Sequence, residues 1–256
     1  MIGCIIQARM GSNRLHGKVM ELLDGKNPSL FYTINQLKSA LKLDKIIVAT
    51  TQLTEDDKIE EFSIKNGIEC FRGEPDNVLD RFYKCAKKYK LDTIVRTTAD
   101  CPLIDPEIVD LAIQIFNSDK YDYVHNLYPR TFPDGLDTEV FTFNVLEKAW
   151  KNAVLPSEKE HVTPYFRNHK EEFKIKSMIN EKNLSFHRWT LDYKEDLELI
   201  RKIIQQINHR PILINDIILL FNKEPSLFEI NKMYLPNDGF QRSLEEDKKF
   251  LTRTSD

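Results

Sequence analysis

The sequence predicts an α/β protein of three layers, a mostly parallel central sheet covered on both faces by helices, and three observations carry that prediction. Short runs that are apolar almost throughout recur at Ile2–Ile6, Ile46–Ala49 and Ile68–Phe71, as strands buried on both faces require. Segments with helical spacing separate them, so strand and helix alternate through the first seventy residues, and right-handed crossovers follow. The chain of 256 residues is long enough for a sizeable core and reads as one α/β domain with an appended piece.

The first strand, through Ile2, Cys4, Ile5 and Ile6, gives way at Gln7 to Ala8-Arg9-Met10-Gly11-Ser12-Asn13-Arg14-Leu15-His16-Gly17-Lys18. Two arginines, a lysine and two glycines in that place are what an open α/β sheet needs to hold a polyphosphate. Glycine admits close backbone approach, and the cations neutralise charge. The spacing from Gly11 to Gly17, with Val19 after Lys18, excludes the Gly-x-x-x-x-Gly-Lys-Ser phosphate loop. An anionic nucleotide is the expected ligand; a solvated basic turn is the alternative. Leu30, Phe31, Ile34, Leu37 and Leu41 then form the stripe of a helix over Pro28–Leu41, and Lys45–Thr51 is the second strand. Thr54 is expected to cap a helix over Glu55–Lys65 that Gly67 ends before the strand Ile68–Phe71.

Asp76 is expected to cap a helix reaching Tyr89, with Asp80 and Arg81 near its first turn. At a strand's carboxyl end these two are candidates to border the ligand, against the plainer reading of surface ion pairs. Strand Asp92–Arg96 leads into Thr97-Thr98-Ala99-Asp100-Cys101-Pro102, where an aspartate leaving a buried strand can offer its carboxylate to a metal in the same crevice. Asp100 is not needed as a helix cap, because Asp105, followed by Pro106 at the first helical position, serves the helix Pro106–Asn117.

Past the strand Tyr121–Asn126, the run Tyr128-Pro129-Arg130-Thr131-Phe132-Pro133-Asp134-Gly135-Leu136-Asp137 is a loop, and Thr138–Phe143 reads as a strand. Aromatic, arginine and carboxylate groups mixed in this way suit a polar, ring-shaped substrate, with a purely structural loop as the alternative. A helix over Asn144–Asn152 precedes Ser157 and Glu160, which are spaced as a capping box; His161 is left without a structural reason and is a candidate substrate contact. Residues 128–180 read as a small excursion from the sheet and as the place for dimer contacts. Phe173–Met178 and Leu184–Leu191 alternate like strands, and Asp192 is expected to cap a helix ending near Ile207, with Asp196 inside it. Residues 1–207 therefore form the main domain and 208–256 a helical extension, with helical stretches at Ile212–Phe221 and Ser226–Met233, a charged segment Phe240–Phe250 and a frayed end from Thr252.

A net charge of −3, from 37 basic and 40 acidic residues, provides no field for a nucleic acid. No apolar run approaches the roughly 20 residues of a membrane helix. Cys4, Cys70, Cys85 and Cys101 show no Cys-x-x-Cys spacing and read as reduced thiols, not zinc ligands, so a cytoplasmic protein is expected.

The opening Ala-x-Arg-x-Gly-Ser-x-Arg-Leu-x-Gly-Lys resembles the amino-terminal signature of the cytidylyltransferases that activate acidic sugars, a group that holds the Kdo and acylneuraminate enzymes and the SpsF-like spore-coat proteins. His16 stands where that family usually has proline. Thr-Ala-Asp-Cys-Pro at 98–102, Arg-x-x-Pro-x-Gly-Leu-Asp-x-Glu around 130–139 and Glu-His-Val-Thr-Pro-Tyr at 160–165 are similar to SpsF-like runs. Leu191-Asp192-Tyr193-Lys194-Glu195-Asp196-Leu197 is similar to the late Val-Asp-Thr-Pro-Glu-Asp-Leu element.

The resemblance implies a Rossmann-like, nucleotide-diphospho-sugar-transferase-like sheet and transfer of CMP from CTP to an acidic sugar of the 3-deoxy-2-ulosonic type, with release of pyrophosphate, for a surface polysaccharide or glycan. It implies a nucleotide site of Ala8, Arg9, Gly11, Ser12, Arg14, Lys18, Asp80, Arg81 and Asp100, with Arg9, Lys18 and Asp100 at the reaction. Magnesium would be held by Asp100 and Asp192, and the acceptor by Arg130, Asp134, Glu139, His161 and Arg188, in a homodimer. A nucleotidyltransferase acting on a sugar phosphate or another phosphorylated acceptor, and a metal-dependent glycosyltransferase of similar fold, are the rivals; the latter normally shows Asp-x-Asp, which Ala99 and Cys101 around Asp100 do not provide.

Overall fold

Alternation along each strand decides where the core lies. In the computed structural model, which describes residues 1–12, 14–234 and 238–254, Cys4 and Ile6 of β1 (Ile2–Gln7) face one helical layer and Ile5 faces the other. The same division splits Val48 from Ile47 in β2 (Lys45–Thr51), Val95 from Ile94 in β4 (Thr93–Thr98) and Val140 from Phe141 in β6 (Glu139–Thr142). With β3 (Glu69–Gly73), β5 (Tyr123–His125) and β7 (Ile175–Ser177), these strands form a seven-stranded sheet of order β3-β2-β1-β4-β6-β5-β7. Only β6 runs against its neighbours β4 and β5; the remaining pairings are parallel.

One face is covered by α1 (Ser29–Leu37), α4 (Pro106–Ser118), α8 (Lys194–Gln206) and α9 (Ile214–Lys223). The other is covered by α3 (Val78–Lys88) and α5 (Phe143–Asn152). Asp105 caps α4 as expected, accepting from the Glu107 and Ile108 amides. Its second oxygen also accepts from the Ile214 amide and so ties in α9.

Several local expectations are corrected. Thr54 opens a 3-10 turn, Thr54–Asp56, ahead of α2 (Asp57–Lys65), and Asp56 turns inward. Asn77, not Asp76, caps α3, because its side chain reaches the Asp80 amide. The start of α6 (Pro156–His161) is held by Glu158, which accepts from the Val154 and Leu155 amides, so Glu160 is not a capping residue. Residues 184–191 form turns and one isolated bridge, Asp134 to Arg188. At α8 it is Asp196 that accepts from the Asp192 and Tyr193 amides, leaving the Asp192 carboxylate for other partners. The expected excursion 128–180 returns β6 and β7 to the sheet, with α7 (Pro164–Asn168) between them, because the Val140 and Phe141 side chains are needed in the two cores. Of the extension, Pro225–Glu229 is a 3-10 turn, and the charged stretch is one helix, α10 (Asp238–Thr254), that runs past the expected fraying point.

Candidate active site

The basic loop is shaped by two anchors. The buried Asp56 carboxylate accepts from the Met10 amide at 2.7 Å, and the Gly17 amide donates to the Met10 carbonyl at 2.9 Å. Gly17 sits at φ +69°, a left-handed conformation that glycine adopts without steric cost. The closed loop turns Arg9, Gly11, Ser12, Arg14 and Lys18 toward a cavity of about 750 Å³ at the carboxyl ends of β1 and β4, where open sheets bind ligands.

Charge converges at the floor of this cavity. Lys18 Nζ, almost fully buried, donates to Asp100 Oδ2 at 2.5 Å and to Asp192 Oδ1 at 2.7 Å, and Arg14 Nη2 donates to the same Asp192 oxygen at 2.5 Å. Asp100 follows β4 through a turn closed by the Cys101 amide on the Thr98 carbonyl, and the Leu191 amide donates to its own carbonyl. That last bond sets Asp192 opposite Asp100. Burial pushes the Asp192 carboxyl up, but Lys18 and Arg14 outweigh it and hold the group well below the usual carboxylate range. Lys18 is raised despite its burial, because both aspartates favour its charged form.

A smaller cavity of about 180 Å³ opens from the first, sharing Arg14, Arg96, Thr98, Asp100 and His161 with it. In its wall Arg96 Nη1 donates to Glu139 Oε2 at 2.5 Å, and the Tyr123 hydroxyl donates to the other Glu139 oxygen. Arg188 donates to Asp134, Asp192 and Asp196 at 2.8 to 3.2 Å, a hub that aims the Asp192 carboxylate. Burial, with Asp137 nearby, raises the Asp134 carboxyl to about 6. His161 is lowered to about 4, chiefly by burial and then by Arg96 and Arg167, so it works as a neutral ring, its Nε2 2.9 Å from Ser243 Oγ of α10.

A family model described as Cytidylyltransferase matches residues 3–222. The chain belongs to the cytidylyltransferase family. It is 35% identical over 229 residues to the spore coat polysaccharide biosynthesis protein SpsF of Bacillus subtilis, a match covering 86% of this chain and 94% of that protein. A cytidylyltransferase structure from Leptospira borgpetersenii serovar Hardjo-bovis is 38% identical, with a TM-score of 0.84, over 89% of this chain and 96% of that one. At 16% identity, CMP:2-keto-3-deoxy-manno-octonic acid synthetase complexed with CTP shares the fold, with a TM-score of 0.61 over 80% of this chain and 98% of that one. Helix α10 lies beyond the matched residues.

Most of the residues singled out in this cytidylyltransferase sequence line the two cavities: Arg9, Gly11, Ser12, Arg14, Lys18 and Asp100 the outer, and Asp134, Glu139, Arg188 and Asp192 the inner, with His161 in both. Four do not. Ala8 packs in the core and its amide continues the sheet to Ala49. Asp80 accepts from the Trp150 indole and pairs with Lys84. Arg81, fully buried, holds the Glu74 and Pro75 carbonyls and steadies the turn that carries Asp76, which does line the cavity. Arg130 stands behind the inner wall, paired with Asp137 through two nitrogens.

Glu160 is bound to Arg9 at 2.8 Å and lines the outer cavity, a role hidden by its apparent capping position. Arg96 and Arg167 also line the inner cavity without belonging to any motif singled out above; the charge that follows Ile94 and Val95 was the available signal for the first, and none marked the second. Asp100 and Asp192 supply hard oxygen donors that already share one cation, and among the described residues no cluster of three or more potential metal ligands occurs. That donor set fits magnesium, which is bound by one or two carboxylates and completes its shell with water and substrate phosphates. Among the described residues no helix is long and apolar enough to cross a membrane.

Proposed function

We propose that this cytidylyltransferase transfers CMP from CTP to an acidic sugar of the 3-deoxy-2-ulosonic type and releases pyrophosphate, as a cytoplasmic homodimer serving polysaccharide or glycan synthesis. The single observation that carries the reading is the Lys18 ammonium held between Asp100 and Asp192 at the junction of the two cavities. The outer cavity, with Arg9, Ser12, Arg14 and Lys18, suits a triphosphate, and the inner, with its hydroxyl and carboxylate groups, suits a polyol. Asp100 lines both cavities, which supports a role for it at the reacting α-phosphorus.

Arg9, Arg14 and Lys18 take up charge on the phosphates and stabilise the departing pyrophosphate. The inner wall orients the acceptor hydroxyl for in-line attack, and positioning supplies a large part of the rate. Asp100 and Asp192 would hold the magnesium, which would supply further neutralisation of the phosphate charge. SpsF, by name a polysaccharide biosynthesis protein, and the synthetase that shares the fold and acts on an acidic sugar support this choice of acceptor. The test is pyrophosphate release across a matrix of nucleoside triphosphates, acidic sugars and phosphorylated sugars, with and without magnesium. CTP with an acidic sugar should be the productive pair, and turnover confined to phosphorylated acceptors would overturn the reading.

A further inference from the structure

Four arginines line the inner cavity, and three are already neutralised: Arg14 by Asp192, Arg96 by Glu139 and Arg188 by three aspartates. The fourth is Arg167 on α7, which forms no ion pair with a carboxylate among the described residues. Its guanidinium lies over the Tyr128 ring at 4.6 Å and over the Phe240 ring of α10 at 5.4 Å, and one nitrogen donates to Thr163 Oγ1 at 3.3 Å. Glu139, whose carboxyl Arg167 helps to hold down, is itself satisfied by Arg96 and Tyr123.

Contacts with aromatic rings do not consume a guanidinium's N–H donors, and with one nitrogen on Thr163 the others remain to fork onto a carboxylate. Arg167 is thus held by rings and a hydroxyl and faces a cavity whose other lining arginines each pair with a carboxylate, so it is the lining arginine placed to take an anionic group of the ligand. We infer that Arg167 binds the carboxylate of the acceptor sugar and selects acidic sugars over neutral ones. The inference rests on the acidic-sugar reading and names the residue that enforces it. Asp134 and Asp137, which line the same cavity, would then accept from the sugar hydroxyls.

The test compares the wild-type enzyme, Arg167→Gln and Arg167→Lys, each checked for folding by thermal unfolding, in pyrophosphate release with CTP, magnesium and a 3-deoxy-2-ulosonic acid or its neutral amide. A charge-assisted hydrogen bond sets the scale, so Arg167→Gln should raise the KM for the acid by roughly 10- to 100-fold. The KM for CTP should stay within about twofold, and the preference for acid over amide should disappear. Arg167→Lys keeps the charge without the fork, and should recover part of the KM; it also serves if the glutamine variant does not fold. An unchanged KM for the acid, or equal rises in both KM values, would overturn the assignment while leaving the acidic-sugar reading intact. A wild-type enzyme that turns over no acidic sugar sinks both, and is recognised before any variant is made.

Discussion

Replacing Asp100 by asparagine separates catalysis from stability, because the structure predicts very different effects on the two. The Asp100 side chain is 23% exposed, and Lys18, its one charged partner among the described residues, keeps Asp192 at 2.7 Å. Removing the charge therefore leaves no buried cation unpaired, and the discounted loss is about 1 kcal/mol, a fall of roughly 2–4 °C in Tm for a chain of this size. The asparagine is isosteric and its amide oxygen can still accept from Lys18. Turnover is another matter: a neutral amide binds magnesium poorly and no longer opposes Lys18 beside the reacting phosphorus. A loss of roughly a thousandfold in kcat, about 4 kcal/mol of barrier, is expected. The assay is the initial rate of pyrophosphate release at saturating CTP and acceptor over a magnesium titration, with Tm measured alongside. A variant that keeps kcat within tenfold and responds to magnesium as the wild type does removes Asp100 from the reaction.

Lys18→Ala should raise the KM for CTP by at least about tenfold, since one charge-assisted contact to phosphate is lost; unchanged kinetics would take the loop out of the site. Gly135→Ala should lower stability by about 3 kcal/mol, because Gly135 sits at φ +107° and an added Cβ would lie 2.6–2.8 Å from the Trp189 and Thr190 backbone; a wild-type Tm refutes that. His125, His161 and His187 are lowered by burial from 6.5 to about 4, so the folded chain takes up their protons less readily than the unfolded one. Their contribution is complete above pH 6.5 and is lost toward pH 4, at up to about 1.4 kcal/mol per pH unit for each ring. Asp134, raised from 3.8 to about 6, opposes one of the three as pH falls through that window. Urea midpoints should therefore fall between pH 6.5 and 4.5, and a flat profile would count against the buried neutral rings.

What was legible in advance followed from local chemistry. Strand positions came from apolar runs, and the start of α4 from Asp105 and Pro106, because a cap acts on amides two or three residues away. The same reasoning misassigned Ser157 with Glu160, and Asp192 at α8, since neighbouring carboxylates compete for such amides. Only packing decided that Glu158 and Asp196 win. Asp80 and Arg81 failed for a related reason: the helix start that carries them was located, but which of its faces met the cavity was not.

By itself the sequence determined the alternating α/β layers, the basic loop after β1, the aspartate leaving β4 and membership of a family whose motifs it carries in order. The tertiary structure alone decided the pairings: Lys18 with an aspartate 174 positions away, Arg9 with one glutamate 151 away, and three of the four arginines lining the inner cavity, but not Arg167, with carboxylates. Secondary structure and caps depend on near neighbours and leave a periodic trace in the chain. An ion pair is chosen by distance in space once the sheet has closed, and nothing in the spacing of its two members records it.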